Sequence, residues 1–438
     1  MDSKSFLHIV CSVLVIYQLC ISPAHSQEAP GTNGSGSTAS SGSSNSSNLD
    51  LGSGDRTITA GSTNNNFTAA TITVGGTSVL VNAGSLLTPA ESVALNQVLG
   101  GGTQSLVLDA AGRAVGGQFM LTSANLNQLV IPTGVTALHD FGTAGSISIT
   151  GNLSNSGSFF ALSSNSQFNT ALISAGNILN NQGGLISSVL PAGGFAGFGN
   201  LLSSVNLSLM ASNNITNYGS ITSSGNLNLF AGNTIVNALP TGMTGPSPIM
   251  QAVGDISMIS NAVQNAGLIA SLSGNINIAS QLVQNLTISN FGGTLEALNG
   301  NINVRDQFFS DKFDTNLLGG DFLSKQLNVF SGDGIINIDV NAISGQLNMV
   351  GGSAHVASTS GDLHIGAIRM SGDPTISSAG DVFLEMSQFG GNWLFPGPEL
   401  LMINAGKNII NVDVTAIGTT AGKGNTGNIV MTAGGMPA

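Results

Sequence analysis

Charge is scarce in this chain. Its 438 residues include 9 Lys or Arg and 21 Asp or Glu, giving a net charge of −12. Residues 141–254 contain no Asp, Glu, Lys, Arg or His at all. A typical soluble domain carries about 25% charged residues, so the polar surface of this stretch must come from Asn, Ser, Thr and backbone. Without clustered Lys and Arg there is no electrostatic footprint for nucleic acid. The acidic balance argues equally against attachment to anionic lipid. Cysteine is nearly missing too. Cys11 and Cys20 both fall in the N-terminal apolar segment, so a chain cleaved after that segment has no disulfide framework and no Cys-ligated metal. There is one Trp, there are two Tyr, and helical periodicity is almost absent.

What is present is glycine, asparagine and aliphatic residues. With 60 Gly and 41% hydrophobic residues, the chain has enough apolar material for a core, unlike a disordered chain. The N-terminus reads as an export signal over residues 1–26. Lys4 begins it, an apolar run spans 6–21, and Ala24-His25-Ser26 offers a cleavage site. An uncleaved anchor and lipidation at Cys20 are the alternatives. The expected location is secreted or on the outer cell surface, with membrane contact only through the export signal or secretion machinery.

Residues 27–56 read as a flexible Gly/Ser/Asn-rich linker. Residues 57–142 read as an N-terminal cap. Thr71–Val74 and Ser78–Val81 are strands parted by Gly75-Gly76, and Thr88-Pro89-Ala90-Glu91 opens a short helix that Gly100 to Gly102 ends. Residues 143–438 are a repeat array. The triplet Gly-Asn-[Ile/Leu], or Gly-Asp, recurs at Gly151, Gly176, Gly199, Gly225, Gly254, Gly274, Gly300, Gly361, Gly380 and Gly427, with Gly332-Asp333 as a looser copy. Intervals of about 19 to 32 residues, with one doubled gap, mark a stacked-repeat architecture.

Leu227-x-Leu229 and Ile276-x-Ile278 alternate with period two, the mark of a strand buried on one side. Asn217-x-Gly219 and Asn265-x-Gly267 place turn residues between strands. A unit of this kind cannot bury its apolar side alone. Stacked units pair as parallel strands about 4.8 Å apart, so about 12 coils make a rod about 50–60 Å long. The expected class is all-β, a right-handed parallel β-helix. Aligned Asn side chains are expected to hydrogen-bond along the stack.

The array resembles the haemagglutinin-type repeats of filamentous haemagglutinin and related surface proteins. The resemblance rests on Ala175-Gly176-Asn177-Ile178-Leu179-Asn180-Asn181-Gln182-Gly183 and on the run from Ala211-Ser212-Asn213-Asn214-Ile215 to Gly225-Asn226-Leu227-Asn228-Leu229-Phe230-Ala231-Gly232-Asn233. It implies a secreted or cell-surface bacterial protein, often one that mediates attachment. The Asn-Pro-Asn motif of two-partner secretion domains does not occur in the chain.

Candidate sites lie where the repeat is interrupted. Residues 305–325 bring Arg305, Asp306, Asp311, Lys312, Asp314, Asp321 and Lys325 among Phe308, Phe309, Phe313 and Phe322. Carboxylates with aromatics suit a sugar or calcium; a lateral loop packed on the solenoid is the plainer reading. Residues 390–401 hold Trp393, Phe395, Pro396 and Pro398 and read as a loop leaving the coil. Asp306, Asp311, Asp314, Asp321, Trp393 and Phe395 are therefore the ligand-contact candidates. Asp333, Asp339, Asp362, Asp373 and Asp381 read as turn residues rather than a calcium roll. His139, His355 and His364 share no metal-ligand spacing, and His364 is expected to face solvent. No catalytic, cofactor or metal motif accompanies the repeat. The expected function is a non-enzymatic stalk or adhesin whose partners are glycans or surface proteins. The alternative is a β-helix polysaccharide lyase or hydrolase with its site in 305–385.

Overall fold

A computed structural model gives the fold. It describes residues 125–434 except 132–134, 193–201, 282–283, 306–310, 387–391, 396–399, 415 and 420–427. Before residue 125 it describes the backbone of six strands. Met1–Ser43 are a unit outside the described residues, and residues 44–438 form a second compact unit. The expected signal, most of the linker and the helix opening at Thr88 lie outside the described residues.

The chain winds as a parallel β-helix with three faces. Leu227–Ala231, Thr234–Asn237 and Ile249–Ala252 are the strands of one coil on the first, second and third faces. Within each, alternate side chains turn inward. Equivalent inward residues then stack from coil to coil. On the second face Ile178, Ile215, Ile235, Val263, Ile288, Leu317 and Ile338 lie in register. On the third, Phe159, Ile186, Ile221, Met250, Ile269, Leu295 and Phe322 do the same. These residues belong to one continuous buried cluster. Each large aliphatic side chain so buried contributes about 1.5–3 kcal/mol.

The second face is a sheet of 13 strands. The first and third faces join into a 25-stranded sheet, because Thr294–Val304 and Asp321–Phe330 each run through both. Strand pairing within these two sheets is parallel except where Ser105–Leu108 meets Ala114–Leu121 antiparallel. Ala114–Leu121 in turn pairs in parallel with Val135–Asp140, and Ser47–Leu49 with Phe119, Met120 and Leu121. Arg56–Gly61, Ala69–Val74 and Thr77–Asn82 form a separate antiparallel sheet. The four-residue helix Phe141–Ala144 starts at Asp140, whose carboxylate accepts from the Gly142 N–H at 2.8 Å. After Ala342–Ile343 the third face ends, and Ser353–Ser358 leads through a turn straight to the first-face strand Leu363–Met370.

The Gly-Asn triplet does not mark one place in the coil. Gly225, Gly254, Gly274, Gly300, Gly361 and Gly380 precede first-face strands, whereas Gly151 and Gly176 precede second-face strands. At the first of these corners the Asn or Asp side chain accepts a backbone N–H from the next coil. Asn226 Oδ1 accepts from Asp255 N at 2.9 Å, Asp255 Oδ1 from Asn275 N at 2.7 Å, and Asn275 Oδ1 from Asn301 N at 2.9 Å. Asp362 serves Asp381 N, and Asp381 serves Asn408 N, each at 2.8 Å. Only an acceptor is required there, which is why Asn and Asp interchange.

A different column tolerates no such exchange. At the corner between second and third faces, Asn155, Asn180, Asn217, Asn237, Asn265 and Asn290 stack inside the wall, each 0–2% exposed. Each Nδ2 donates to the Oδ1 of the next at 2.7–2.8 Å. Every rung between the ends must donate and accept at once, and only an amide does both. The column ends where Asn290 Nδ2 donates to Asp321 O at 3.1 Å. Gly319 and Gly320 turn there with φ of 72° and 63°. A Cβ on Gly320 would sit 2.0 Å from Asn290 O.

Candidate functional site

Arg305 follows Val304 at the corner between first and second faces. Its φ is 64°, the one left-handed non-glycine backbone among the described residues. Such strain persists only where the surroundings hold it, and here they do. Arg305 is buried, with Nε donating to Thr315 Oγ1 at 2.8 Å, Nη1 to Ser280 Oγ at 2.9 Å and Nη2 to Asp314 O at 3.1 Å and to Gln284 O. Thr315 passes the chain of bonds on to Phe330 O at 3.0 Å. Burial lowers the Arg305 pKa to about 10, while Asp311 and Asp314 pull it upward. The guanidinium is still charged at neutral pH. Its bonds tie neighbouring coils together through neutral partners.

The acidic residues of 305–325 separate. Asp311 and Lys312 run beside Asp333 and Gly332, with Asp333 N donating to Asp311 O at 3.2 Å and Lys312 bridging Gly332. Asp314 Oδ1 accepts from Ile335 N at 2.9 Å, and Asp314 N donates to Asn285 Oδ1 at 2.9 Å. Asp321 lies beyond the whole strand Thr315–Leu318, at the opposite corner, where its carboxylate accepts from Asn341 Nδ2. Phe322 is a core residue and Phe313 is half-buried. Asp306, Phe308 and Phe309 lie outside the described residues.

The loop expected at 390–401 is corrected in part. Asn392–Phe395 is a strand, paired in parallel with Ala416–Thr419 and touching the ladder at Arg369 and Leu394. The prolines that suggested a loop, Pro396 and Pro398, follow the strand rather than interrupt it. Trp393 and Phe395 therefore sit in the sheet; their side chains are outside the described residues. Asp373 accepts from Leu400 N at 2.6 Å, so it too holds a neighbouring coil. His139 is buried edge-on to Phe141, with ring centres 4.6 Å apart. His355 lies exposed on Ser353–Ser358. Among the described residues no three His, Cys, Asp or Glu gather to hold a metal ion.

His364 is not simply solvated. It faces outward on the first face, in register with Gln346 and Phe383. Its ring stacks on Phe383 at 4.6 Å and 9°, and Nδ1 lies 2.7 Å from Glu385 Oε1. Gln346 Nε2 donates to Glu385 Oε2 at 3.2 Å and to Met386 O at 3.1 Å. Between them the ladder bulges. Leu347 pairs with Ile365 and Met349 with Ile368, so Gly366 and Ala367 oppose Asn348 alone. A Cβ on Gly366 would sit 2.2 Å from Asn348 Oδ1, so glycine leaves the room that this crossing needs.

The result is an aromatic ring stacked on an imidazole, with a carboxylate and an amide beside them on the sheet. The readable signal was coil spacing. Gln346, His364 and Phe383 hold the same outward place in Gln346-Leu347, Leu363-His364-Ile365 and Val382-Phe383-Leu384. Glu385→Ala should cost at most about 1 kcal/mol, because the pair is partly solvated. Amide exchange should rise at 346–349 and between 363 and 386, the strands that Gln346, His364 and Glu385 join.

No protein-family model, no curated protein and no solved structure matches the chain, so the haemagglutinin-type resemblance stands on the repeat residues alone.

Proposed function

We propose that the chain is an exported bacterial surface protein whose β-helix acts as a stalk or adhesive module, without catalysis. One observation carries this reading. Six of the charged side chains that could have built a catalytic site instead hold coils together: Arg305 through Thr315, Ser280 and backbone carbonyls, and Asp255, Asp314, Asp362, Asp373 and Asp381 through backbone N–H groups. Weak contacts repeated along a coil face give avidity without a deep pocket. The first-face patch of Gln346, His364, Phe383 and Glu385 suits a sugar, with the outward edges of the stacked His364 and Phe383 rings against its C–H groups and the polar groups at its hydroxyls.

The second reading is a polysaccharide lyase or hydrolase. It draws on the His364–Glu385 pair, an acid–base couple beside an aromatic. The deciding experiment is cell fractionation with a glycan-binding and glycan-cleavage screen. The expected result is surface or secreted protein that binds glycan and releases no product. Product release that His364→Ala abolishes would replace the stalk with the enzyme. Retention in the cytoplasm would overturn both.

A further inference from the structure

The third face carries an apolar surface that the solenoid does not use. Its inward residues Met250, Ile269, Leu295 and Phe322 fix which neighbours turn outward. Four successive coils then present Ile249, Gln251 and Val253; Leu268 and Leu272, with Ala270 buried between Gln251 and Glu296; Thr294, Glu296 and Leu298; and Asp321, Leu323 and Lys325. The first two columns are aligned by the strand register. The third follows the corner, where Leu272 N bonds Ala252 O and Ser273 N bonds Val253 O. Val253, Leu272 and Leu298 are 45%, 46% and 55% exposed. Aliphatic side chains stacked in a column this exposed mark an interaction surface rather than scattered surface hydrophobes.

The charges at the end of this surface indicate what it fits. Asp321 stands in the first column and Lys325 in the third. They are four residues apart on one strand, about 13 Å by strand rise, too far to pair within the chain. A two-fold axis along the middle column, parallel to the solenoid, exchanges the outer columns. It places Asp321 of each copy opposite Lys325 of the other. It also sets Leu268 against Leu272, Ile249 against Val253, and Thr294 against Leu298. The Asp321–Lys325 row is thus self-complementary in charge and the Ile249 and Leu268 rows in apolar character, as an isologous contact requires. Glu296 opposes this arrangement, since two copies meet across the axis, with a Lys325 in the next row on each side.

We propose that two copies of this chain associate side by side, in parallel, through the third face between Ile249 and Lys325. The proposal does not depend on the adhesin reading. It is tested by sedimentation of the full purified chain. A dimer is expected. Leu272→Asp with Leu298→Asp should raise its dissociation constant on the order of a thousandfold. Both sites are exposed, so the fold should survive, as circular dichroism will report. Asp321→Lys alone, or Lys325→Asp alone, should weaken the dimer roughly tenfold by placing like charges together. The two combined should restore it to within about threefold of the parent. A chain that stays monomeric at roughly 100 µM overturns the proposal. So does a dimer indifferent to the leucine changes, or one that both single swaps weaken and the combination does not rescue.

Discussion

Asn217→Asp is expected to lower the stability of the solenoid by about 4 kcal/mol, whereas Asp255→Asn should leave it within about 0.5 kcal/mol. Both exchange an amide and a carboxylate at a corner of the coil. The difference lies in what each corner asks of the side chain. Asn217 is fully buried and donates to Asn237 Oδ1 at 2.7 Å, Gly219 O at 3.1 Å and Ile249 O at 3.0 Å, while accepting from Asn180 Nδ2 at 2.7 Å. A carboxylate keeps the accepting role and loses the donors. It also brings a charge into the wall beside the Asn237 oxygen. Asp255 only accepts, from Asn275 N at 2.7 Å, and an amide oxygen does that as well. Urea denaturation of the two variants compares them directly. Acidification should recover part of the Asn217→Asp loss, since a protonated carboxyl regains one donor. Equal loss in both variants would show that the inner column is no more demanding than the outer one.

Arg305→Ala should cost about 3–5 kcal/mol, because several buried polar groups lose their donor at about 1–3 kcal/mol each. It removes the donors for Thr315, Ser280, Gln284 O and Asp314 O together and opens a cavity at the corner. Arg305→Lys should recover less than half of this, because an ammonium cannot reproduce the planar fork that reaches several acceptors at once. The Arg305 pKa in the fold, about 10, lies below the ordinary arginine value, so between the two the unfolded chain holds a proton that the folded chain has released. Stability contributed by this site therefore rises with pH across that window. Arg305→Met should flatten the rise, measured as the parent-minus-variant difference in unfolding free energy. An unchanged slope would mean that Arg305 keeps its ordinary pKa.

The solenoid was legible because its information is local and repeated. Alternation such as Leu227-x-Leu229 declares which side is buried, and Asn217-x-Gly219 declares where the chain turns. Stacking of Asn side chains also followed from period alone. The sequence did not distinguish the two kinds of corner. Gly176-Asn177 and Gly225-Asn226 look alike as text but sit at different corners, because the difference lies in which strand precedes them. The acidic cluster at 305–325 looked like one site because its members are close in sequence. A strand and a corner separate Asp314 from Asp321 in space. The Gln346, His364 and Glu385 contacts were harder still, since they cross a bulge at Gly366 and Ala367 that no short pattern announces. Pro396 and Pro398 misled in the opposite way: they suggested that the loop began before Trp393, whereas Asn392–Phe395 is a strand.

The uneven lengths of the coils have a mechanical consequence. Pulled by its ends, such a wall unspools one turn at a time, and each release frees the residues between one second-face strand and the next. That is 18 residues from Ile338 to Val356 and 37 from Ile178 to Ile215. Fully extended, those lengths are about 60 Å and about 125 Å. The force trace of a single molecule would therefore be a series of unequal steps whose order follows the sequence. Where the Asn column runs, each step must also break an amide rung, so the longest release, at 178–215, falls within the reinforced part of the wall.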